Sequence, residues 1–187
     1  MRGIVRRSLS FGGVIIIAMT LAFSIPISES MWAKILHVHG SANVGERATG
    51  TIGFWKNWHR HGTFSESEIE TWLAEIDVNS AWLGPATVDD MATHFEAATG
   101  GSATMESRFL AHYLATRLNE QYGILGALDR HDISGQDPEN YLGLADPLDA
   151  TLTEIIDAIE ANIGTDPLDA EYELMKDISD ALNNLEI

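Results

Sequence analysis

The sequence predicts a mainly α-helical domain of five or six helices, which follows a signal helix and a short extended segment. Three observations support this fold class. Apolar residues recur at helical spacing from residue 65 onward, helix-capping sequences precede several of these runs, and a period of two is confined to residues 31–45. We assign residues 1–30 to a signal peptide or N-terminal anchor, 31–50 to an extended stalk or strand, and 51–187 to the helical domain.

The N-terminus has the features of an export signal. Three arginines lie within the first seven residues, and Phe11–Ile27 then run for seventeen residues without a charge. The small residues Ser28 and Ser30 predict signal-peptidase cleavage after Ser30. A retained anchor is the alternative, because the apolar run reaches the lower limit of a membrane span. In both cases we expect the rest of the chain to be secreted or exposed at the cell surface.

The composition excludes several classes of function. Removing residues 1–30 takes away three Arg and one Glu, so the net charge moves from −17 to −19. A surface this acidic repels phosphate backbones and anionic lipids, so we expect no nucleic-acid binding and membrane contact only through the N-terminal segment. The absence of cysteine excludes thiol catalysis and cysteine metal sites.

The extended segment alternates two sets of residues with a period of two, which is typical of a strand. The sets are Trp32, Lys34, Leu36 and Val38, and Ala33, Ile35, His37 and His39. This stretch resembles the start of exported proteins of the camelysin and biofilm-fibre type, some of which pass an N-terminal strand to a neighbour. The resemblance implies export and self-assembly by strand addition through residues 32–44. A flexible stalk is the alternative.

The first long helix is expected to begin after Ser65, where Ser65 and Glu68 form a capping box. Gly84-Pro85 ends this run. Its apolar face comprises Ile69, Trp72, Leu73 and Ile76.

Two further helices follow in the middle of the chain. A shorter one is expected to begin at Thr87, with Asp90 three residues later and Gly100-Gly101 at its end. A longer one should run from about Thr104 to Tyr122, with Gly123 as its C-terminal cap. Its apolar stripe comprises Phe109, Leu110, Tyr113, Leu114 and Leu118.

The tail contains an internal repeat. The sequence Asp-Pro-Leu-Asp-Ala occurs at residues 146–150 and again at 166–170. Asp at the cap and Pro at the first helical position would suit a helix start in both copies. Residues 145–187 are therefore predicted to form a helical hairpin.

Residues 126–143 read as a loop that carries four acidic side chains: Asp129, Asp132, Asp137 and Glu139. Calcium is one interpretation, but the spacing does not match a calcium-binding loop. We expect a solvated acidic loop.

The segment Thr51–Trp58, which reads Thr-Ile-Gly-Phe-Trp-Lys-Asn-Trp, resembles the "G-[YF]-W-K-N" motif that opens a small domain of exported bacterial and archaeal surface proteins. In that family a later helix carries "L-A-H-x-L-x-x-x-L-N", and residues 110–119 read Leu-Ala-His-Tyr-Leu-Ala-Thr-Arg-Leu-Asn. One departure is that Trp58-His59 follows the motif where the family usually has His-Pro. The resemblance implies an exported location and a helical architecture, and it implies no activity.

The motif residues Gly53, Phe54, Trp55, Lys56, Asn57 and Trp58 are the candidate binding residues. Trp55 and Trp58 are three residues apart, so on one helix they would share a face. One interpretation is that they anchor the turn in the core. The other is an aromatic platform for a sugar ring or a partner chain, with Lys56 and Asn57 supplying hydrogen bonds.

Histidines offer the alternative chemistry. His59 and His61, with His94 or His112, are imidazoles of the kind that bind zinc or copper, and they suggest a secreted metal-dependent hydrolase. No His-Glu-X-X-His helix is present, and we expect His112 to be a buried hydrogen-bonding residue. The sequence therefore favours a non-enzymatic exported surface or matrix protein that has no cofactor and binds a cell-surface protein or glycan.

Overall fold

The computed structural model describes residues 50–184, and this part of the chain is mainly helical, as the sequence predicts. Predictions for the export signal and for residues 31–49 lie outside the described residues. Within residues 50–184 the chain forms seven helices and one short antiparallel strand pair. In order they are α1 (Ile52–Lys56), α2 (Trp58–His61), α3 (Glu66–Asn79), α4 (Val88–Ala97), α5 (Met105–Tyr122), β1 (Arg130–His131), β2 (Ala150–Thr151), α6 (Leu152–Ile163) and α7 (Asp169–Asn184).

The predicted caps of α3, α4 and α5 are confirmed. The Ser65 hydroxyl accepts from the backbone N–H of Glu68 at 3.3 Å, and the Glu68 carboxylate accepts from the Ser65 N–H at 2.8 Å. A second capping box begins α4 at Thr87, and the Thr104 side chain caps α5. Gly123 ends α5 with a φ of 76°, a conformation that glycine adopts at little cost. Local side-chain chemistry therefore sets these helix ends.

The predicted helix starts in the Asp-Pro-Leu-Asp-Ala repeat are wrong. Helix α6 begins after the second residue of β2, where the Thr151 hydroxyl accepts from the Glu154 N–H at 3.2 Å and the Glu154 carboxylate accepts from the Thr151 N–H at 2.8 Å. The Asp146 carboxylate instead accepts an amide two residues on, at 3.1 Å, and so closes a turn. In the second copy Asp166 has a φ of 60°, whereas an N-cap residue is extended. The first copy is therefore a turn that leads into β2, and in the second copy α7 begins at Asp169, three residues after the predicted cap.

Helix α5 is the centre of the domain. Nine of its residues are buried, including Arg117 and Asn119, so neighbours surround it on most sides. It contacts α1, α3, α4 and α7, and its contact with α7 is the most extensive between any two described elements. The two tail helices are consecutive, as predicted, but α7 packs chiefly against α5.

The segment between α5 and α6 is an ordered loop. Its two short strands pair Arg130 with Thr151 and His131 with Ala150. Asp137 belongs to this loop, and its side chain is buried, with 1% of the residue's surface exposed. The prediction of a solvated acidic loop is therefore wrong at Asp137. None of the helices in residues 50–184 combines the length and apolarity that crossing a membrane requires.

Candidate functional site

The motif at Thr51–Trp58 forms two short helices with a break between them. The Thr51 hydroxyl accepts from the Phe54 N–H at 3.3 Å and begins α1. The Asn57 side-chain amide donates to the Gly53 carbonyl at 2.9 Å and ends it. Helix α2 then ends at Gly62, whose φ is 60°. The polar side chains of Thr51 and Asn57 therefore set the start and the end of α1.

The indole of Trp55 is fully buried and connects the motif to two distant helices. Its Nε1 donates to Oδ1 of Asn119 on α5 at 2.9 Å. The Asn119 amide donates in turn to the Gly50 carbonyl at 3.0 Å and to Oδ1 of Asn183 on α7 at 2.8 Å. A Cβ atom at Gly50 would lie 1.6 Å from the Asn119 Oδ1, so this close approach requires glycine.

The same polar network continues between α5 and α7. Oδ1 of the Asn183 side chain also accepts from the Thr116 hydroxyl at 3.1 Å. The side-chain amide of Asn183 donates to the backbone carbonyl of His112 at 2.9 Å. Thr116, Asn119 and Asn183 are each no more than 1% exposed. We call these three residues with Trp55 the buried amide network. Because each of its polar groups has a partner, the network specifies the register of α1, α5 and α7.

Four aromatic rings surround the Trp55 indole, with ring centroids 5.1 to 6.3 Å from it. All four are partly exposed, and together we call them the aromatic surface. They are Phe54, Phe64, Trp72 and Tyr122. The exposed His61 ring stacks on Phe54 at 4.6 Å and extends the surface along one edge. The motif thus contributes both the buried centre and part of an aromatic surface around it.

Trp55 and Trp58 do not form the joint platform that their spacing suggested. The break at Asn57 separates their helices, and Trp55 has no exposed surface for a ligand to contact. Trp58 is partly buried against the core, and its ring contact is with His59 at 6.0 Å. Of the predicted binding residues, Gly53 is exposed and the others except Trp55 are partly exposed.

Sequence reasoning missed three members of the aromatic surface. The sequence pattern places Trp72 only on the apolar face of α3, and it gives Phe64 and Tyr122 no role in the site. The position of Phe64 could have been predicted from the sequence. It immediately precedes the cap residue Ser65, and an apolar side chain at this position often packs onto the first turn of the helix. Tyr122 approaches from the end of α5, which only the tertiary fold brings near.

The structure does not bring the histidines together. His59 and His61 are exposed on α2. The Nδ1 of His112 lies 3.1 Å from Oδ1 of Asp180, and burial lowers the pKa of His112 despite that carboxylate. Within residues 50–184, no group of three or more His, Cys, Asp or Glu side chains is placed to hold a metal ion. The described geometry therefore gives the histidine alternative no metal site.

The acidic residues of the 126–143 loop bind backbone amides. The carboxylate of Asp129 accepts from the Gly126 N–H at 2.7 Å, and that of Asp132 accepts from the Ser134 N–H at 3.0 Å. The buried Asp137 accepts from two successive amides, at 2.6 and 2.9 Å. These carboxylates stabilise separate turns, as opposed to converging on one cation.

A buried ionic cluster that the sequence did not indicate joins α5 to α6. Arg117 is 5% exposed, and its Nε donates to Oε2 of Glu120 at 3.0 Å. The Tyr113 hydroxyl donates to Oε1 of Glu160 at 2.7 Å, and burial raises the pKa of Tyr113. The guanidinium lies 3.9 Å from the same Glu160 oxygen. Because each charge has a partner, we assign the cluster to the fold.

Comparisons of the chain with protein-family models, with curated proteins and with solved structures gave no significant match.

Proposed function

We propose that the chain is a non-enzymatic, exported surface or matrix protein whose helical domain binds a cell-surface glycan or a partner protein through the aromatic surface. The export signal and the resemblance to exported surface proteins support the location. The partial exposure of four clustered rings on the aromatic surface is the observation that supports the binding role.

Three properties of the aromatic surface favour recognition. Its rings are large, and partly exposed aromatic rings supply much of the binding energy at interfaces. They are also held in place, because each contacts the buried Trp55. Finally, the exposed His61 offers ring nitrogens at the edge of the surface, where a hydroxyl or carbonyl could hydrogen-bond. A rigid aromatic face with polar groups at its rim suits the alternating apolar and hydroxyl faces of a sugar.

The test compares two tryptophan variants. Trp72→Leu removes a ring of the aromatic surface but keeps apolar bulk against the core. Trp82→Leu removes a tryptophan that is 43% exposed in the loop after α3 and lies outside the aromatic surface. Trp55 is unsuitable for this purpose, because its substitution would test stability. Each protein is mixed with isolated cell walls, and the fraction that sediments is measured as protein concentration increases.

We expect the wild-type chain and Trp82→Leu to bind the cell walls with the same affinity. We expect the affinity of Trp72→Leu to be lower by roughly tenfold or more. Circular dichroism should show that both variants keep the helical fold. Equal sedimentation of the two variants would contradict binding at the aromatic surface. Release of bound protein by soluble polysaccharide fragments would identify a glycan ligand, whereas release by proteolysis of the walls would identify a protein partner.

A secreted metal-dependent hydrolase that uses His59, His61 and a third histidine remains the alternative proposal. Elemental analysis of protein purified without an affinity tag separates the two functions. Stoichiometric zinc, copper or iron that is lost in a His59→Ala/His61→Ala variant would favour the hydrolase.

A further inference from the structure

A concave feature that contains none of the rings of the aromatic surface lies where α1, the residues just after α4, the first half of α5 and the middle of α7 meet. It is open to solvent and has a volume of about 370 Å³, which is within the range of small-molecule sites. Its apolar wall includes Ile52 and Met105, and its polar wall includes Arg108, His112 and Lys176. We call it the four-helix pocket. None of the four rings that form the aromatic surface lines it.

The lining of the four-helix pocket contains more of the domain's few cations than its acidic composition would suggest. Residues 50–184 contain six Lys and Arg against 25 Asp and Glu. Two of those six, Arg108 and Lys176, line this one pocket, and Glu173 is the only carboxylate among its lining residues. Asp177 pairs with Lys176, and Asp180 lies 3.1 Å from His112, so Arg108 is the lining cation that has no carboxylate partner among residues 50–184. In a domain this acidic, an unpaired guanidinium at a pocket indicates recognition of a negatively charged group.

The Arg108 guanidinium is available for such a group. It is exposed, and within residues 50–184 it takes part in no ion pair or side-chain hydrogen bond. Lys176 pairs with Asp177 beside it on α7 and is partly buried. The planar fork of an arginine matches the two oxygens of a carboxylate, and a neighbouring ammonium adds a second point of attraction.

The remaining polar groups of the pocket offer hydrogen-bond acceptors. The Thr99 hydroxyl donates to the Glu96 carbonyl at 3.1 Å, which leaves its oxygen lone pairs available. The neutral ring of His112, which is partly buried, has one nitrogen without a proton that can accept a hydrogen bond. The Glu173 carboxylate is a third acceptor. Acceptors beside two cations suit a ligand that carries hydroxyls as well as a negative charge.

We propose that the four-helix pocket binds a small hydroxylated carboxylate, of the class to which uronic acids belong. Arg108 and Lys176 bind the carboxylate, and Glu173 and His112 accept from the hydroxyls. The carbon skeleton packs against the apolar wall that includes Ile52. This site is independent of the aromatic surface, so either proposal can fail without the other.

The test is calorimetric titration of the full chain with sodium glucuronate at fixed ionic strength, with glucose and sodium acetate as comparison ligands. Glucose has the hydroxyls without the charge, and acetate has the charge without the hydroxyls. We expect saturable binding of glucuronate at one site per chain, and binding at least tenfold weaker for each comparison ligand.

Two matched variants locate the site. Arg108→Gln removes the unpaired guanidinium of the pocket, and Arg60→Gln removes another exposed arginine that lies on α2 and does not line the pocket. We expect Arg108→Gln to weaken glucuronate binding by about tenfold or more, and Arg60→Gln to leave it unchanged. Thermal unfolding checks that both variants fold.

Four results would overturn the proposal. They are the absence of glucuronate binding at millimolar concentrations, equal binding of glucose, equal binding of acetate, and equal weakening by the two substitutions. The first would exclude the site, and the second would exclude recognition of the charge. The third would exclude recognition of the hydroxyls. The fourth would assign the binding to general electrostatic attraction.

Discussion

Replacing Asn119 by alanine should destabilise the domain more than any other substitution of a single amide side chain. Asn119 uses its carbonyl oxygen to accept from Trp55, and its amide group to donate to Gly50 and Asn183. It is fully buried, so water cannot replace these hydrogen bonds without opening the core. The substitution therefore affects α1, α5 and α7 together.

The magnitude follows from the groups left without partners. In Asn119→Ala the indole N–H of Trp55 and the Gly50 carbonyl lose their partners, whereas the Asn183 oxygen keeps the Thr116 hydroxyl at 3.1 Å. Each unpaired buried group costs about 1–3 kcal/mol, and the small cavity adds to this. We expect the free energy of unfolding to fall by about 3–5 kcal/mol. For a domain of this size that corresponds to a melting temperature lower by roughly 10–20 °C.

The assay is urea unfolding followed by circular dichroism. Asn79→Ala is the matched control, because Asn79 is exposed and its side-chain amide donates only to the Glu75 carbonyl at 2.8 Å. Trp55→Phe removes the indole N–H, and with Asn119→Ala it completes a double-mutant cycle that should show coupling of about 1 kcal/mol or more. A loss below about 1 kcal/mol for Asn119→Ala, or strict additivity in the cycle, would refute the assigned role of the network.

Three further predictions concern charge and capping. Arg117→Ala should lower the free energy of unfolding by about 3 kcal/mol, because it leaves partly buried glutamates without their cation. Arg130→Ala breaks an exposed pair and should lower it by less than about 1 kcal/mol, so similar losses for the two variants in urea unfolding would contradict this. Because burial lowers the pKa of His112 in the folded state, the unfolded state binds more protons, and the free energy of unfolding should fall as the pH drops from 7 to 5. His112→Gln should make this fall less steep, and an unchanged pH dependence would exclude His112 as its cause. Thr151→Ala should lower the free energy of unfolding by about 1 kcal/mol, because it removes the cap of α6. Asp146→Ala should lower it by less, because it affects only a turn, and a larger loss for Asp146→Ala in urea unfolding would support a helix start at Asp146.

The helix ends that the sequence predicts correctly depend on contacts within one turn. Ser65 with Glu68, and Thr87 with Asp90, lie three residues apart, so the partner that satisfies each free amide is visible in the sequence. The predicted start of α6 at Asp146 is wrong, although Thr151 and Glu154 have the same spacing as the two predicted capping boxes. Asp-Pro suits both a helix start and a turn, and the local pattern does not distinguish them.

The site could be predicted only in part, because its contacts join residues that are distant in the chain. Trp55 and Asn119 are 64 residues apart, and Asn119 and Gly50 are 69 apart. No periodicity or capping rule connects positions at such separations. The aromatic density of the motif indicates an important segment, but only the fold distinguishes the buried Trp55 from the partly exposed rings around it.

The two sequence blocks, residues 51–58 and 110–119, meet in this chain at one hydrogen bond between side chains. Trp55 is the tryptophan of the first block, and Asn119 is the last residue of the second. An indole N–H in a dry core needs an acceptor, and an amide buried beside it needs a donor, so neither residue is stable there without the other. In sequences related to this chain, loss of the asparagine should therefore accompany replacement of the tryptophan by a ring without an N–H, and Gly50 should become free to vary because the close approach to Asn119 disappears. Related sequences that keep the tryptophan beside an apolar residue at position 119 would show that another acceptor serves the indole, and would contradict this coupling.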